Sequence, residues 1–163
     1  MPERIQLKRV RGWRLPPDTA VVARPTKWGN PFRCNHYTGL ARVPAAVGEG
    51  DWEYEGRISS PGTRHDYHHA DGHVTVCHVR YMTMAEIVET YRRALTGDYS
   101  PAMRMSSARF LRVTVDDVHR ELAGKNLACW CPLPVPGQPD LCHAAVLLEV
   151  ASQLPDETRS PLR

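Results

Sequence analysis

The stretch ARPTKWGNPFR, residues 23–33, restricts the local backbone more than any other part of the chain. It contains Pro25 and Pro31, and a proline fixes its own φ and biases the residue before it towards extended conformations. Gly29 lies between them and allows close approach of the backbone to a ligand. The stretch therefore predicts a rigid loop that is neither a helix nor a central strand. Because the β-branched run TAVVAR leads into it, we expect the loop to leave the end of a strand.

Short apolar runs and capped helices follow one another in an order typical of α/β proteins. Thr83 and Glu86 form a capping box, and Thr114 precedes a second helix with two aspartates in its first turn. Residues 34–78 have no sustained periodicity and predict a long loop excursion or lid. The predicted elements, in chain order, are strands in IQLKRV and TAVVAR, helices in AEIVETYRRALTG and VDDVHRELA, a buried strand in NLACWC and a helix in CHAAVLLEVASQL.

This order predicts a single α/β domain over residues 1–154, with a Rossmann-like layered, mostly parallel sheet and flanking helices. The tail, residues 155–163, is expected to be flexible. Ligands of parallel sheets bind at the carboxyl ends of the strands. The loops after TAVVAR and NLACWC both leave such ends, so we expect them to line one pocket.

Composition narrows the classes of partner. With 163 residues, 42% of them hydrophobic, the chain can bury a core without a disulfide or a structural metal. A net charge of +3 is too small to favour sequence-independent binding of nucleic acid. Neither a membrane-spanning stretch nor a signal-peptide pattern is visible, which predicts a cytoplasmic protein without a membrane partner. The sequence leaves homodimer formation open.

The first loop carries side chains suited to a nucleotide. Its cations can bind a phosphate, its aromatic rings can stack on a base, and its asparagine can read an amide edge. The residues predicted to bind substrate here are Arg24, Lys27, Trp28, Gly29, Asn30 and Arg33. Trp52 is expected to close over a base. The alternative is a stiff corner with its aromatic rings in the core, which we favour for Pro31 and Phe32.

The second group of reactive side chains is Cys129, Trp130 and Cys131, followed by Cys142 and His143. Alternation along a strand places Cys129 and Cys131 on one face. Three thiols and an imidazole can form a Cys3His zinc site, although the spacing differs from the usual two to four residues and adjacent Cys142 and His143 are expected to diverge. The alternatives are small buried cysteines, a nucleotide pocket that includes Cys131 and Cys142, and nucleophilic chemistry at Cys142.

Together, ARPTKWGNPFR, the helix MAEIVETYRRAL and the ending LAGKNLACWCPL…CHAAVLLEV resemble a bacterial and phage family known as domain of unknown function 4326. The chain departs from the family pattern at Ala145, where an aspartate is usual, and in its long loop between Cys131 and Cys142. The matching positions are Lys27, Trp28, Gly29, Asn30, Pro31, Phe32, Cys129, Trp130, Cys131, Cys142 and His143. The family name implies a shared site without a reaction.

The layout is also similar, at fold level, to N-glycosidases that release a base from a nucleoside 5′-monophosphate in nucleoside-antibiotic pathways. This similarity suggests a hydrolase that cleaves the N-glycosidic bond of a purine nucleotide such as GMP, without a cofactor. His143 is the predicted general acid, and Glu86 or Glu149 the carboxylate that stabilises an oxocarbenium-like state. The alternative is a zinc-stabilised module that binds a nucleotide or nucleic acid without catalysis, with Cys129 among its ligands.

Overall fold

A computed structural model describes residues 1–56, 59–99, 103 and 111–153 of the chain. Within these residues the protein is a mixed α/β structure with one parallel and two antiparallel sheets. The strands are β1 (Arg4–Gln6), β2 (Thr19–Val21), β3 (Leu40–Val43), β4 (Glu53–Tyr54), β5 (Tyr67–His68), β6 (Val74–Thr75), β7 (His78–Tyr81) and β8 (Asn126–Cys129). The helices are α1 (Met84–Thr96), α2 (Val115–Leu122) and α3 (His143–Ser152).

The chain divides into two compact units. The first comprises Met1–Gly29 and the described residues from Val113 onward, and the second comprises Asn30–Arg112. No described helix is long and apolar enough to span a bilayer. The predicted flexible tail, residues 155–163, lies outside the described part of the chain.

The first unit is built on a parallel sheet in the order β1-β8-β2. All three strands predicted from IQLKRV, TAVVAR and NLACWC are present, which confirms the parallel pairing, but each is only three or four residues long. Strand β8 ends at Cys129, so Trp130 and Cys131 belong to the loop that follows. Leu127 and Ala128 are completely buried, as expected for the central strand of a covered parallel sheet.

Two helices complete this unit. The Thr114 hydroxyl accepts a hydrogen bond from the Asp117 amide, and the Asp117 carboxylate accepts one from the Thr114 amide, so α2 begins with a reciprocal cap. The His119 Nε2 atom lies 2.8 Å from the Val150 carbonyl oxygen and joins α2 to α3. Helix α3 is apolar on the side that carries Val146, Leu147 and Val150, and all three are buried. Burial of each such side chain contributes about 1.5–3 kcal/mol.

The second unit corrects the predicted excursion. Residues 34–78 are not a continuous loop, because they contain a 3-10 helix at Tyr37–Gly39, β3 to β6 and the first residue of β7. Strands β4, β3 and β7 form an antiparallel sheet, and β5 pairs with β6. All five of these strands have only two to four residues, with no alternation long enough to be read as a strand. Helix α1 has the predicted capping box and ends at Gly97, whose φ of 79° is left-handed.

Two buried ionic contacts organise the second unit. Arg42 and Glu53, both less than 5% exposed, face each other across β3 and β4, and the Glu53 carboxylate also accepts from the Ala46 and Val47 amides. The Glu55 carboxylate lies 2.6 Å from the Nδ1 atom of His65. These charges are therefore partnered inside the unit, which avoids the large cost of an isolated buried ion.

Candidate metal centre

Three cysteines of the first unit form one sulfur cluster. The Sγ atoms of Cys129, Cys131 and Cys142 all lie within 4.8 Å of one another, and those of Cys129 and Cys131 are 3.8 Å apart. A tetrahedral zinc ion with Zn–S bonds of about 2.3 Å holds its sulfurs about 3.8 Å apart. Cys129 and Cys142 are buried and Cys131 is partly exposed, so the cluster has one side open to solvent.

The parallel sheet and the start of α3 position these thiols. The Cys129 carbonyl accepts a hydrogen bond from the Leu7 amide at 2.9 Å, which fixes the end of β8 against the chain that follows β1. Cys142 is the N-cap residue of α3, with extended backbone angles. Its carbonyl accepts from the Ala145 amide at 3.0 Å. Two rigid elements therefore hold Cys129 and Cys142.

The thiols share their protons unequally. Hydrogen bonds from Cys131 and then from Cys142 lower the pKa of the Cys129 thiol far below its usual range. The hydrogen bond with Cys129 is the largest of the effects that raise the pKa of Cys131, and it is also the largest of those that raise the pKa of Cys142. Cys129 thus loses its proton most readily, and Cys131 and Cys142 hold theirs more tightly. A divalent cation would replace these protons, because the thiolate is the form that ligates metals.

His143 lies beside the sulfur cluster, which among the described residues is formed by Cys129, Cys131 and Cys142. Its Nε2 atom lies 2.9 Å from the Val22 carbonyl oxygen, so Nε2 carries the proton of the neutral ring and Nδ1 is its acceptor nitrogen. Nδ1 lies 4.0 Å from the Cys142 Sγ atom, close to the separation of about 3.6 Å between S and N ligands of tetrahedral zinc. His143 thus approaches Cys142, but its ring nitrogens do not join the three sulfurs that lie within 4.8 Å of one another. Metal-ligating histidines commonly donate their other ring nitrogen to a carbonyl.

Burial weakens His143 as an acid. Desolvation lowers the pKa of this imidazole, and the nearby positive charges of Arg24 and Arg4 lower it further, against raising effects from the Val22 carbonyl and the Cys129 thiolate. His143 is only 6% exposed. The ring is therefore neutral near pH 7, which suits a ligand better than a proton donor.

Arg4 holds both ends of the loop between Cys131 and Cys142. Its Nη1 atom donates to the Cys131 carbonyl at 3.0 Å, Nη2 donates to the Pro132 carbonyl, and Nε donates to the Asp140 carboxylate at 2.5 Å. The Arg4 side chain is only 5% exposed. Sequence reasoning did not find Arg4, because it is one of four arginines among the first 14 residues and only its parallel pairing opposite Leu127 brings it to β8.

The structure gives the first loop a scaffold role at several positions. Trp28 is 6% exposed, and the Lys27 ammonium lies 4.7 Å from the centre of its ring and forms an ion pair with Glu121. A Cβ atom on Gly29 would come within 2.9 Å of the Arg24 backbone, so this glycine is needed for packing of the loop on itself. Stacking of Trp28 on a base would require its side chain to leave the core.

The end of the loop lies in the second unit. The Asn30 side chain accepts a hydrogen bond from the Phe32 amide at 2.9 Å, which is an Asx-type turn. Phe32 is 2% exposed and packs edge-on against Tyr54, as predicted for a scaffold residue. Arg33 is exposed. Trp52 is partly exposed, with the Arg93 guanidinium 5.8 Å from its ring centre.

The two predicted carboxylates lie in different units. Glu86 belongs to the second unit, where it caps α1 and forms an ion pair with Arg80. The hydrogen bond from Arg80 is the largest of the effects that lower the pKa of Glu86. Glu149 lies in the first unit, on the exposed side of α3 and about two turns beyond His143. Neither residue contributes to the sulfur cluster.

A known protein family matches most of the chain. The model of the domain of unknown function (DUF4326) family matches residues 5–153, which include all three described helices, the sulfur cluster and, apart from the first residue of β1, all three described sheets. The chain therefore belongs to the DUF4326 family. No curated protein and no solved structure matches it.

Proposed function

We propose that the protein is a zinc-binding domain whose Cys129, Cys131, Cys142 and His143 side chains hold one Zn²⁺ at the carboxyl end of the parallel sheet. The observation that carries this proposal is the convergence of three Sγ atoms within 4.8 Å, at the separation of zinc-bound thiolates. These sulfurs come from a strand end, a loop and a helix start. A bound ion would therefore join these three segments directly, in addition to the hydrogen bonds from Arg4.

The donor set selects the metal. Thiolate and imidazole suit zinc and other soft or borderline ions, whereas Mg²⁺ and Ca²⁺ prefer oxygen ligands. With His143 as the fourth ligand the site is closed, as in structural zinc centres. The ion would then stabilise a binding module for a nucleotide or a nucleic acid, and would not activate water.

Metal content tests this proposal directly. We expect the purified protein to contain about one zinc per chain, and we expect Cys142→Ser to lose it. Cys34→Ser is the matched control, because Cys34 is an exposed cysteine of the second unit and lies outside the cluster. Equal zinc content in the Cys142 variant and the wild type, measured by elemental analysis after gel filtration, contradicts the proposal.

Nucleotide hydrolysis is the second candidate function. The β2 and β8 strands are parallel neighbours, so the loops that follow them leave the same edge of the sheet, where ligands of such sheets bind. The positive charge of Arg24 acts on His143 at the start of α3, and this charge favours a phosphate there. We propose that a purine nucleoside 5′-monophosphate binds at this edge, within a Rossmann-like arrangement, and loses its base by hydrolysis.

The two proposals make opposite demands on His143. As a zinc ligand through Nδ1, His143 cannot also protonate a departing base, and the acid would have to be another group. Release of free base from a panel of purine nucleoside monophosphates tests hydrolysis, and no release from any of them contradicts it. Glu149→Gln tests the predicted carboxylate of this reaction, because Glu149 is exposed and its replacement leaves the core unchanged.

A further inference from the structure

The loop between Cys131 and Cys142 has no core of its own. Its sequence is PLPVPGQPDL, and residues 132–139 are all exposed. Closing such a loop costs conformational entropy, which rises with its length. A metal ion that binds Cys131 and Cys142 must supply this free energy unless another contact has already brought the two ends of the loop together.

Arg4 and Asp140 supply that contact. Two guanidinium nitrogens donate to the carbonyls of Cys131 and Pro132 at the start of the loop, and the third donates to Asp140, two residues before Cys142. Arg4 lies on β1, which pairs with β8, and its side chain is 5% exposed. The rigid fork of an arginine can contact both loop ends at once. A lysine ammonium is a single point charge and would contact only one of them.

We infer that Arg4 and Asp140 are positioning residues that close the loop before the metal binds, so that Cys131 and Cys142 already face Cys129 when the ion arrives. This inference rests on the proposed zinc site. Neither residue is a ligand. Contacts in the shell around a metal site typically change affinity by about 10- to 100-fold.

Zinc affinity of the full chain, measured by competition with a chromophoric chelator, tests the inference. We expect Arg4→Lys to weaken Zn²⁺ binding by about 10- to 100-fold, and Asp140→Asn to weaken it less, because Arg4 then keeps its two carbonyl acceptors. The charge-swapped double variant Arg4→Asp with Asp140→Arg should not recover affinity, since the carbonyl contacts require the arginine on β1. Arg120→Gln is the control, because it breaks an exposed ion pair of the same unit.

The Co²⁺ form gives a readout that a purely stabilising role would not change. If Arg4 positions Cys131, the thiolate-to-cobalt absorption of Arg4→Lys should fall in intensity relative to the wild type at saturating Co²⁺. The inference is overturned if Arg4→Lys has the zinc affinity and the cobalt spectrum of the wild type. If that variant does not fold, the same result in Asp140→Asn overturns it. In either case the zinc proposal remains intact. Absence of zinc binding by the wild type refutes the proposed function itself, and the inference with it.

Discussion

The two units of the protein treat their buried polar groups differently. In the second unit, Arg42 faces Glu53 and Glu55 faces His65, so each buried carboxylate has a cationic or protonatable partner within the unit. In the first unit, the thiols of the sulfur cluster face one another, and the Sγ atoms of Cys129 and Cys131 lie 3.8 Å apart. The ionic contacts are complete without a ligand. The sulfur cluster offers three ligand atoms within 4.8 Å of one another, and under the zinc proposal a cation would replace their protons.

This difference separates structural polar groups from a ligand site. A buried ion pair stabilises the fold only when both partners are present, and it has no capacity for a further ion. Three convergent sulfurs have that capacity, because each can lose a proton and bind the same metal. Burial alone would mark the ion pairs of the second unit and the sulfur cluster of the first unit equally as candidate ligand sites. The partners of the buried groups distinguish the two regions.

The largest expected effect is that of metal removal on the first unit. A structural zinc site contributes on the order of 10 kcal/mol to folding in small zinc domains. We therefore expect a chelator to increase amide hydrogen exchange strongly at β8 and α3, and much less at β3 and β7. Equal acceleration in both units, followed by mass spectrometry, would show that the metal does not distinguish them.

A second effect belongs to the ion pair of the second unit. We expect Arg42→Ala to lower the free energy of unfolding by about 3–5 kcal/mol, because it leaves Glu53 as an uncompensated buried charge. Replacement of both partners by Arg42→Met and Glu53→Leu should recover most of that loss. Zinc content should remain that of the wild type in both variants, and urea denaturation with elemental analysis checks the two parts of the prediction.

The stabilisation contributed by the cap of α1 is expected to depend on pH and to be lost in acid. The Arg80 hydrogen bond, opposed by desolvation, holds the pKa of Glu86 below its ordinary value of 4.5. Because the folded pKa is the lower one, the stabilisation is present above pH 4.5 and is lost as the pH falls through the folded value. Glu86→Gln should cost about 1 kcal/mol near pH 7 and less at lower pH. Glu89→Gln, on the same helix, is the control in thermal melts across pH.

The smallest stability effect is expected at Lys27. Its ion pair with Glu121 is exposed, and such pairs contribute about 0–1 kcal/mol. Lys27→Gln should therefore leave the melting temperature nearly unchanged. A change in nucleotide affinity in this variant would then not result from a loss of stability. Nucleotide affinity, measured by calorimetry, should fall in this variant if Lys27 contacts a phosphate. An unchanged affinity assigns Lys27 to the surface of the scaffold.

Much of the fold could be predicted from the sequence where local signals were strong. The Thr83 and Thr114 caps, the end of α1 at Gly97 and the strand around Ala128 each follow from short-range chemistry. Residues 34–78 were misread because strands of two to four residues are too short to show a period, and their pairing is set by contacts distant in sequence. The division into two units has no composition signal at residue 29 or 113.

The site shows the same limit. Three of its thiols were visible as a group, yet their distances depend on where β8 ends and on Cys142 being an N-cap residue. The roles expected of Trp28 and Asn30 drew on the chemistry of their side chains, whereas the structure buries both. Arg4 was missed because its importance arises only from the pairing of β1 with β8.

The strand order β1-β8-β2 also has a consequence for synthesis of the chain. Neither β1 nor β2 pairs with the other, and each waits for β8, which is translated after the whole of the second unit. At about 5–20 residues per second, this delay lasts on the order of 5–20 s on the ribosome. During that time the backbone groups of β1 and β2 that pair with β8 are without that partner. Cys142 emerges later still, so the three thiols of the cluster can meet only after β8 and the loop that follows it have been made.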